Sequence, residues 1–81
     1  MHRYYLGVDW ADEFHQVWVS DCEGNKVVSL RVAETVEGRS DFGRWLNERN
    51  TECIELWAAI EKPHGRIVDF LLDHGVVVLS G

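Results

Sequence analysis

Two acidic residues close two apolar strand patterns. Asp9 ends Tyr5-Leu6-Gly7-Val8-Asp9, and Glu61 ends Ile54-Glu55-Leu56-Trp57-Ala58-Ala59-Ile60-Glu61. A carboxylate at the tip of an otherwise apolar strand is costly to desolvate unless something pairs with it. Two such tips on neighbouring strands define a place for a cation. The elements between them therefore have to bring the two strands side by side.

The pattern of the chain does this. Tyr4 to Asp9 is apolar at successive positions, as in a central strand covered on both faces. Gly7 within it weakens a strand and is tolerated where backbone or a ligand approaches closely. After a short connection, Glu13 to Ser20 alternates, with His15, Val17 and Val19 opposed to Phe14, Gln16 and Trp18. Asp21 to Asn25 is turn chemistry, with Gly24 free to take positive φ. A third strand follows from Lys26 to about Val32, with Val28, Leu30 and Val32 on one face. Thr35 is a suitable N-cap for a helix that places Phe42, Trp45 and Leu46 on one side and ends at Asn50 and Thr51. Gly38 and Gly43 each weaken that helix by about 1 kcal/mol relative to Ala. Cys53 to Ile60 is the fourth strand. Pro63 suits the first turn of a second helix, which turns Ile67, Val68, Phe70, Leu71 and Leu72 inward and closes at Gly75. Val76 to Leu79 is the fifth strand.

The element order is thus β-β-β-α-β-α-β, an α/β chain. A helical crossover from the first to the fourth strand favours a parallel, right-handed connection. The simplest sheet has strand order 3-2-1-4-5, with the first and fourth strands about 4.8 Å apart. Their carboxyl ends point the same way. Open α/β sheets place ligands at those ends.

The chain has 81 residues, which is room for one small domain. A core of this size supplies roughly 3–5 kcal/mol net, so stability leans on association and a homo-oligomer is expected. A formal net charge of −6 speaks against this segment being the main grip on nucleic acid, which needs a Lys/Arg surface. It suits an acidic metal-binding centre. No apolar run approaches the ~20 residues of a membrane span. Met1-His2-Arg3 leads straight into a strand pattern, without the form of a signal peptide. Cys22 and Cys53 lack paired spacing and are expected to be free thiols in a reducing, cytoplasmic setting. The sequence stops just after an apolar strand pattern, so a segment of a longer protein is expected.

The wording of three stretches adds a resemblance. Tyr5-Leu6-Gly7-Val8-Asp9-Trp10-Ala11, His15-Gln16-Val17-Trp18-Val19 and Ala59-Ile60-Glu61-Lys62-Pro63-His64-Gly65 look like the N-terminal part of the DEDD-motif insertion-sequence transposases. These are RuvC-like recombinases related to Piv-type DNA invertases, some of them guided by a bridge RNA. The resemblance covers nearly the whole chain. It implies a ribonuclease-H-like (RuvC-like) fold, with residues 1–81 as the N-terminal portion of the catalytic domain. Asp9 and Glu61 match the family's first two acidic residues. The other two acids and the serine-bearing C-terminal domain fall beyond Gly81. The implied activity is metal-dependent DNA cleavage and strand transfer in transposition, with DNA and in some members a guide RNA as partners. The implied cofactor is a pair of Mg²⁺ (or Mn²⁺) ions. The isolated chain would hold half that site, bind the ions weakly and leave DNA uncut.

In two-metal phosphoryl transfer, carboxylates hold ions about 3.5–4 Å apart, one activating the attacking oxygen and the other stabilising the leaving oxygen. Hard divalent ions prefer such oxygen ligands. Two carboxylates about 5 Å apart repel by roughly 3 kcal/mol at an effective dielectric near 20, and a divalent ion reverses that sign. Simpler roles compete: Asp9 as a cap for the following turn, Glu61 as a charge at the start of the next helix. Asp12 and Glu13 read as solvated turn residues, His64 as a solvent-facing residue at the helix start, and His15 as packed. Trp10, Lys62 and Arg66 flank the site and are candidates for nucleic-acid contact, Trp10 by stacking on a base. Trp45 and Trp57 read as core. Two other function classes share parts of this pattern. Actin-like or sugar-kinase-like ATPases share the opening Gly-x-Asp hairpin, but they follow the Asp with small hydroxylic residues that cradle phosphate. Here Trp10-Ala11-Asp12-Glu13 follows. The other class is a non-catalytic assembly module on the same fold.

Overall fold

The computed structural model describes residues 2–9, 11–60 and 65–80. Seven elements follow in order: β1 (His2–Asp9), β2 (Phe14–Ser20), β3 (Lys26–Ala33), α1 (Val36–Thr51), β4 (Ile54–Ile60), α2 (Gly65–Asp73) and β5 (Val76–Ser80). The strands form one sheet in the order β3-β2-β1-β4-β5. β1 pairs antiparallel with β2 and parallel with β4, and β5 adds parallel to β4. This is the α/β architecture and strand order that the pattern of elements predicts.

Local chemistry explains the joints. The Asp21 carboxylate accepts from the backbone N–H groups of Glu23 and Asn25, both at 2.9 Å, and Gly24 takes φ +84 between them. This closes the β2–β3 hairpin. Thr35 has the extended backbone of an N-cap (φ −137, ψ 165), and its hydroxyl oxygen accepts from the Gly38 N–H at 2.9 Å. Such a cap contributes about 1 kcal/mol. Gly75, at φ +75, terminates α2 as expected.

Alternation sorts each strand into a helix side and a bare side. Leu6, Val8, Val17, Val19, Val32, Ile54, Leu56, Ala58, Ile60 and Val76 join Phe42 and Leu46 of α1 and Ile67 and Leu71 of α2 in one core. The opposite face carries Tyr5, Phe14, Trp18, Val77 and Leu79, all exposed. β1 is therefore central in the sheet but covered on one side, which corrects the expectation of cover on both. Its apolar odd positions face outward.

Three further readings change. Leu72 is 55% exposed and not inward, because α2 buries a narrow stripe centred on Ile67 and Leu71. Trp57 is not in the core; it lies on the bare face with the Arg3 guanidinium 4.1 Å from its ring centre. Arg3 also pairs with Glu55 at 2.8 Å. Gly7 is not crowded by backbone, since a Cβ there would meet the Trp18 ring at an ordinary 3.8 Å. By contrast, Gly38, which weakens α1 by propensity, is a packing requirement, and Gly43 lies against the tip of the His74 side chain. A Cβ at Gly38 would collide with the Ala33 carbonyl, and one at Gly43 would stand 2.7 Å from His74 Nε2.

Candidate metal centre

Asp9 is the last residue of β1, exposed, and opposite Gln16 of β2. Strand alternation puts it on the bare side with Arg3, Tyr5 and Gly7. On its other flank the parallel ladder matches Gly7 with Ala59 and Val8 with Ile60. Large side chains on the bare side of these two strands, Tyr5 and Trp57, sit further toward the amino ends; toward β4 the residues next to Asp9 are Gly7 and Ala59, while Gln16 and Trp18 of β2 flank it on the other side. The β4 flank of the carboxyl end of β1 is thus free of bulk where an oxygen-ligated cation would need space. The simpler role of Asp9 as a cap for the turn loses one donor. The Ala11 N–H donates to His15 Nδ1 at 3.1 Å.

Glu61, Trp10, Lys62, Pro63 and His64 lie outside the described residues. Arg66 is exposed in the first turn of α2. Asp12 and Glu13 are exposed, as solvated turn residues should be. Among the described residues no three His, Cys, Asp or Glu side chains gather as a metal site. Cys22 and Cys53 are free and exposed.

His15 is wholly buried on the helix side, in line with its packed reading. Its Nε2 lies 2.8 Å from Glu34 Oε2, and Glu34 Oε1 is 3.4 Å from Arg39 Nε. The sequence reading missed Glu34 and Arg39. The β2–β3 register is what reveals them. His15 pairs with Val32 in the β2–β3 register, so Glu34, two residues on, follows on the same side of the sheet. A buried imidazole facing the core needs a polar partner there.

No protein-family model matches the chain. A curated relative does: the chain is 37% identical over 76 residues to the Sinorhizobium fredii protein named "Putative transposase y4uE", which covers 91% of this chain. The chain spans about a fifth (21%) of that relative's length. That likeness extends over nearly all of this chain.

Proposed function

We propose that this chain is the N-terminal portion of a DEDD-type, RuvC-like transposase or recombinase domain, in which Asp9 and Glu61 are two of four carboxylates that hold divalent ions for DNA strand cleavage and transfer. The observation that carries this reading is the parallel β1–β4 ladder, matched as far as Val8 and Ile60. The next residue in sequence after each is an acid, Asp9 and Glu61. The relative's name, a transposase, agrees with the reaction class.

In this reading Asp9 and Glu61 would hold Mg²⁺ or Mn²⁺, and such ions, when bound, activate an attacking oxygen and stabilise a leaving one. The residues of the chain hold and orient. Asp9 stands on a central strand, whose position both neighbouring strands fix. On the β4 flank the small neighbours Gly7 and Ala59 leave the approach to it open. Trp10, Lys62 and Arg66 are the side chains proposed to meet the nucleic acid, with Lys62 and Arg66 on phosphate. DNA, a guide RNA, a homo-oligomeric assembly and a cytoplasmic setting belong to the proposed longer protein. The two further acids and the serine domain would lie in the part of it beyond this sequence.

Calorimetric titration of Mn²⁺ into the chain tests the ligand assignment. Weak binding is expected, reduced about tenfold or more by Asp9→Asn and by Glu61→Gln, a loss of about 1.4 kcal/mol. Equal affinity in all three proteins would reject it. A nucleotide-dependent heat that Asp9→Asn removes would point to the ATPase class instead.

A further inference from the structure

The hydrogen bonds of His15 have a direction. The Ala11 N–H is a donor, so His15 Nδ1 must be the acceptor and carries no proton. The ring proton then sits on Nε2 and is donated to Glu34 Oε2 at 2.8 Å. The ring is wholly buried, whereas Glu34 is about a third exposed (31%) and is held in turn by Arg39 at 3.4 Å. Glu34 lies just before Thr35, the cap of α1, and its own N–H donates to the Glu13 carbonyl at 2.8 Å. The connection leaving Asp9 is therefore tied at two points, Ala11 and Glu13, to the junction between β3 and α1. The imidazole is the buried link at the end nearer to Asp9.

We propose that His15 is a positioning residue. Its imidazole holds the backbone two residues beyond Asp9 against the Glu34–Arg39 anchor, and so fixes the direction in which the Asp9 carboxylate meets a divalent cation. The proposal rests on the reading of Asp9 as a metal ligand. His15 itself touches no ion; it lies on the helix side of the sheet, whereas Asp9 is on the bare side. The chemistry selects this residue type. One side chain must accept from an amide on one side and donate to a carboxylate about one ring width away on the other. A neutral imidazole does both with a single rigid ring.

Two substitutions divide those roles. In His15→Asn the amide oxygen takes the place of Nδ1 and keeps the acceptor for Ala11, while the donor to Glu34 is lost. In His15→Gln the terminal amide takes the place of Nε2 and keeps the donor, while the acceptor for Ala11 is lost. The expected result for His15→Gln is about tenfold faster hydrogen exchange at the Ala11 amide and Mn²⁺ affinity several-fold weaker. Exchange at Leu6 and Val17 should be unchanged. His15→Asn keeps the Ala11 bond but loses the anchor, so it should shift both measures in the same direction by a smaller factor. Glu34 is partly exposed, so Glu34→Ala is expected to fold even where a His15 variant does not; it should speed Ala11 exchange by a smaller factor.

Three results would overturn the proposal. One is the same Ala11 exchange in His15→Gln and Glu34→Ala as in wild type. A second is His15→Asn and Glu34→Ala both matching wild type, since each cuts the bond to the anchor. The third is a loosened Ala11 with Mn²⁺ affinity unchanged. Wild-type chain that binds no Mn²⁺ rejects the ligand assignment itself and with it the positioning role, whereas wild-type binding that His15→Gln leaves intact rejects the positioning role alone.

Discussion

The two faces of the sheet are built from the same strands and have opposite characters. On the helix side, aliphatic residues from all five strands meet α1 and α2, and Leu6, Leu46, Leu56, Ile67 and Leu71 are each at most 1% exposed. On the other side the side chains are as large, but Trp18 is 51% exposed and Phe14, Val77 and Leu79 are each 44% exposed. Burial, not composition, separates them. The difference teaches where stability resides and where function is expected. The helix side holds the chain together. The bare side carries Asp9 at its edge, together with apolar surface of the kind that marks contact with another body.

The largest expected effect tests the helix side. Leu46→Ala, on a residue with 0% exposure, should cost about 2–5 kcal/mol in urea unfolding. Trp18→Ala should cost less than about 1 kcal/mol, as for an exposed position. If Trp18→Ala proves as damaging as Leu46→Ala, the bare face is covered in solution, and sedimentation should then show association that the substitution abolishes.

Glycines sharpen the contrast at the next level. Gly38→Ala forces a Cβ into the Ala33 carbonyl and should destabilise by about 1–3 kcal/mol. Gly7→Ala, on the bare side with its nearest neighbour at 3.8 Å, should stabilise by about 0.4–1 kcal/mol through a less flexible unfolded chain. Thermal melts of the two variants should move in opposite directions. A loss of stability in Gly7→Ala would show that the strand needs the glycine for a close approach after all.

The smallest effect is one of pH and lies at the hairpin distant from the site. The Asn25 N–H, and with it the Glu23 N–H, holds the Asp21 carboxyl below its usual value of 3.8. A carboxylate with a lowered folded-state pKa adds stability that is complete above its unfolded value and lost as pH falls through the folded one. Protection of the Asn25 amide, its exchange rate relative to an unstructured chain at the same pH, should therefore hold from neutral pH down to about 3.8 and be lost only in stronger acid. In Asp21→Asn that acid transition should disappear.

Much of the fold was legible because alternation and turn chemistry agree at each step. His15, Val17 and Val19 opposed to Phe14, Gln16 and Trp18 gave the faces of β2, and Thr35, Gly24 and Gly75 marked joints that the structure contains. The one-sided cover of β1 was not legible. A run such as Tyr5-Leu6-Gly7-Val8 reads the same whether its odd positions meet a second layer or solvent. Gly38 was misread for a related reason. Helix propensity is a local cost, whereas its closeness to Ala33 is a tertiary contact. For the site, the position of Asp9 at the carboxyl end of β1, beside a parallel β4, followed from the sequence. The His15–Glu34 link did not, because it depends on the β2–β3 register.

Paramagnetic broadening by Mn²⁺ in amide NMR spectra of this chain tests the central claim most directly. The account predicts loss of signal centred on Val8 to Ala11 and on Ala59 to Glu61, with Gly24 and Phe42 unaffected and the effect removed by Asp9→Asn. Broadening centred on Asp12 and Glu13 that survives Asp9→Asn, or broadening that never reaches the end of β4, would contradict it.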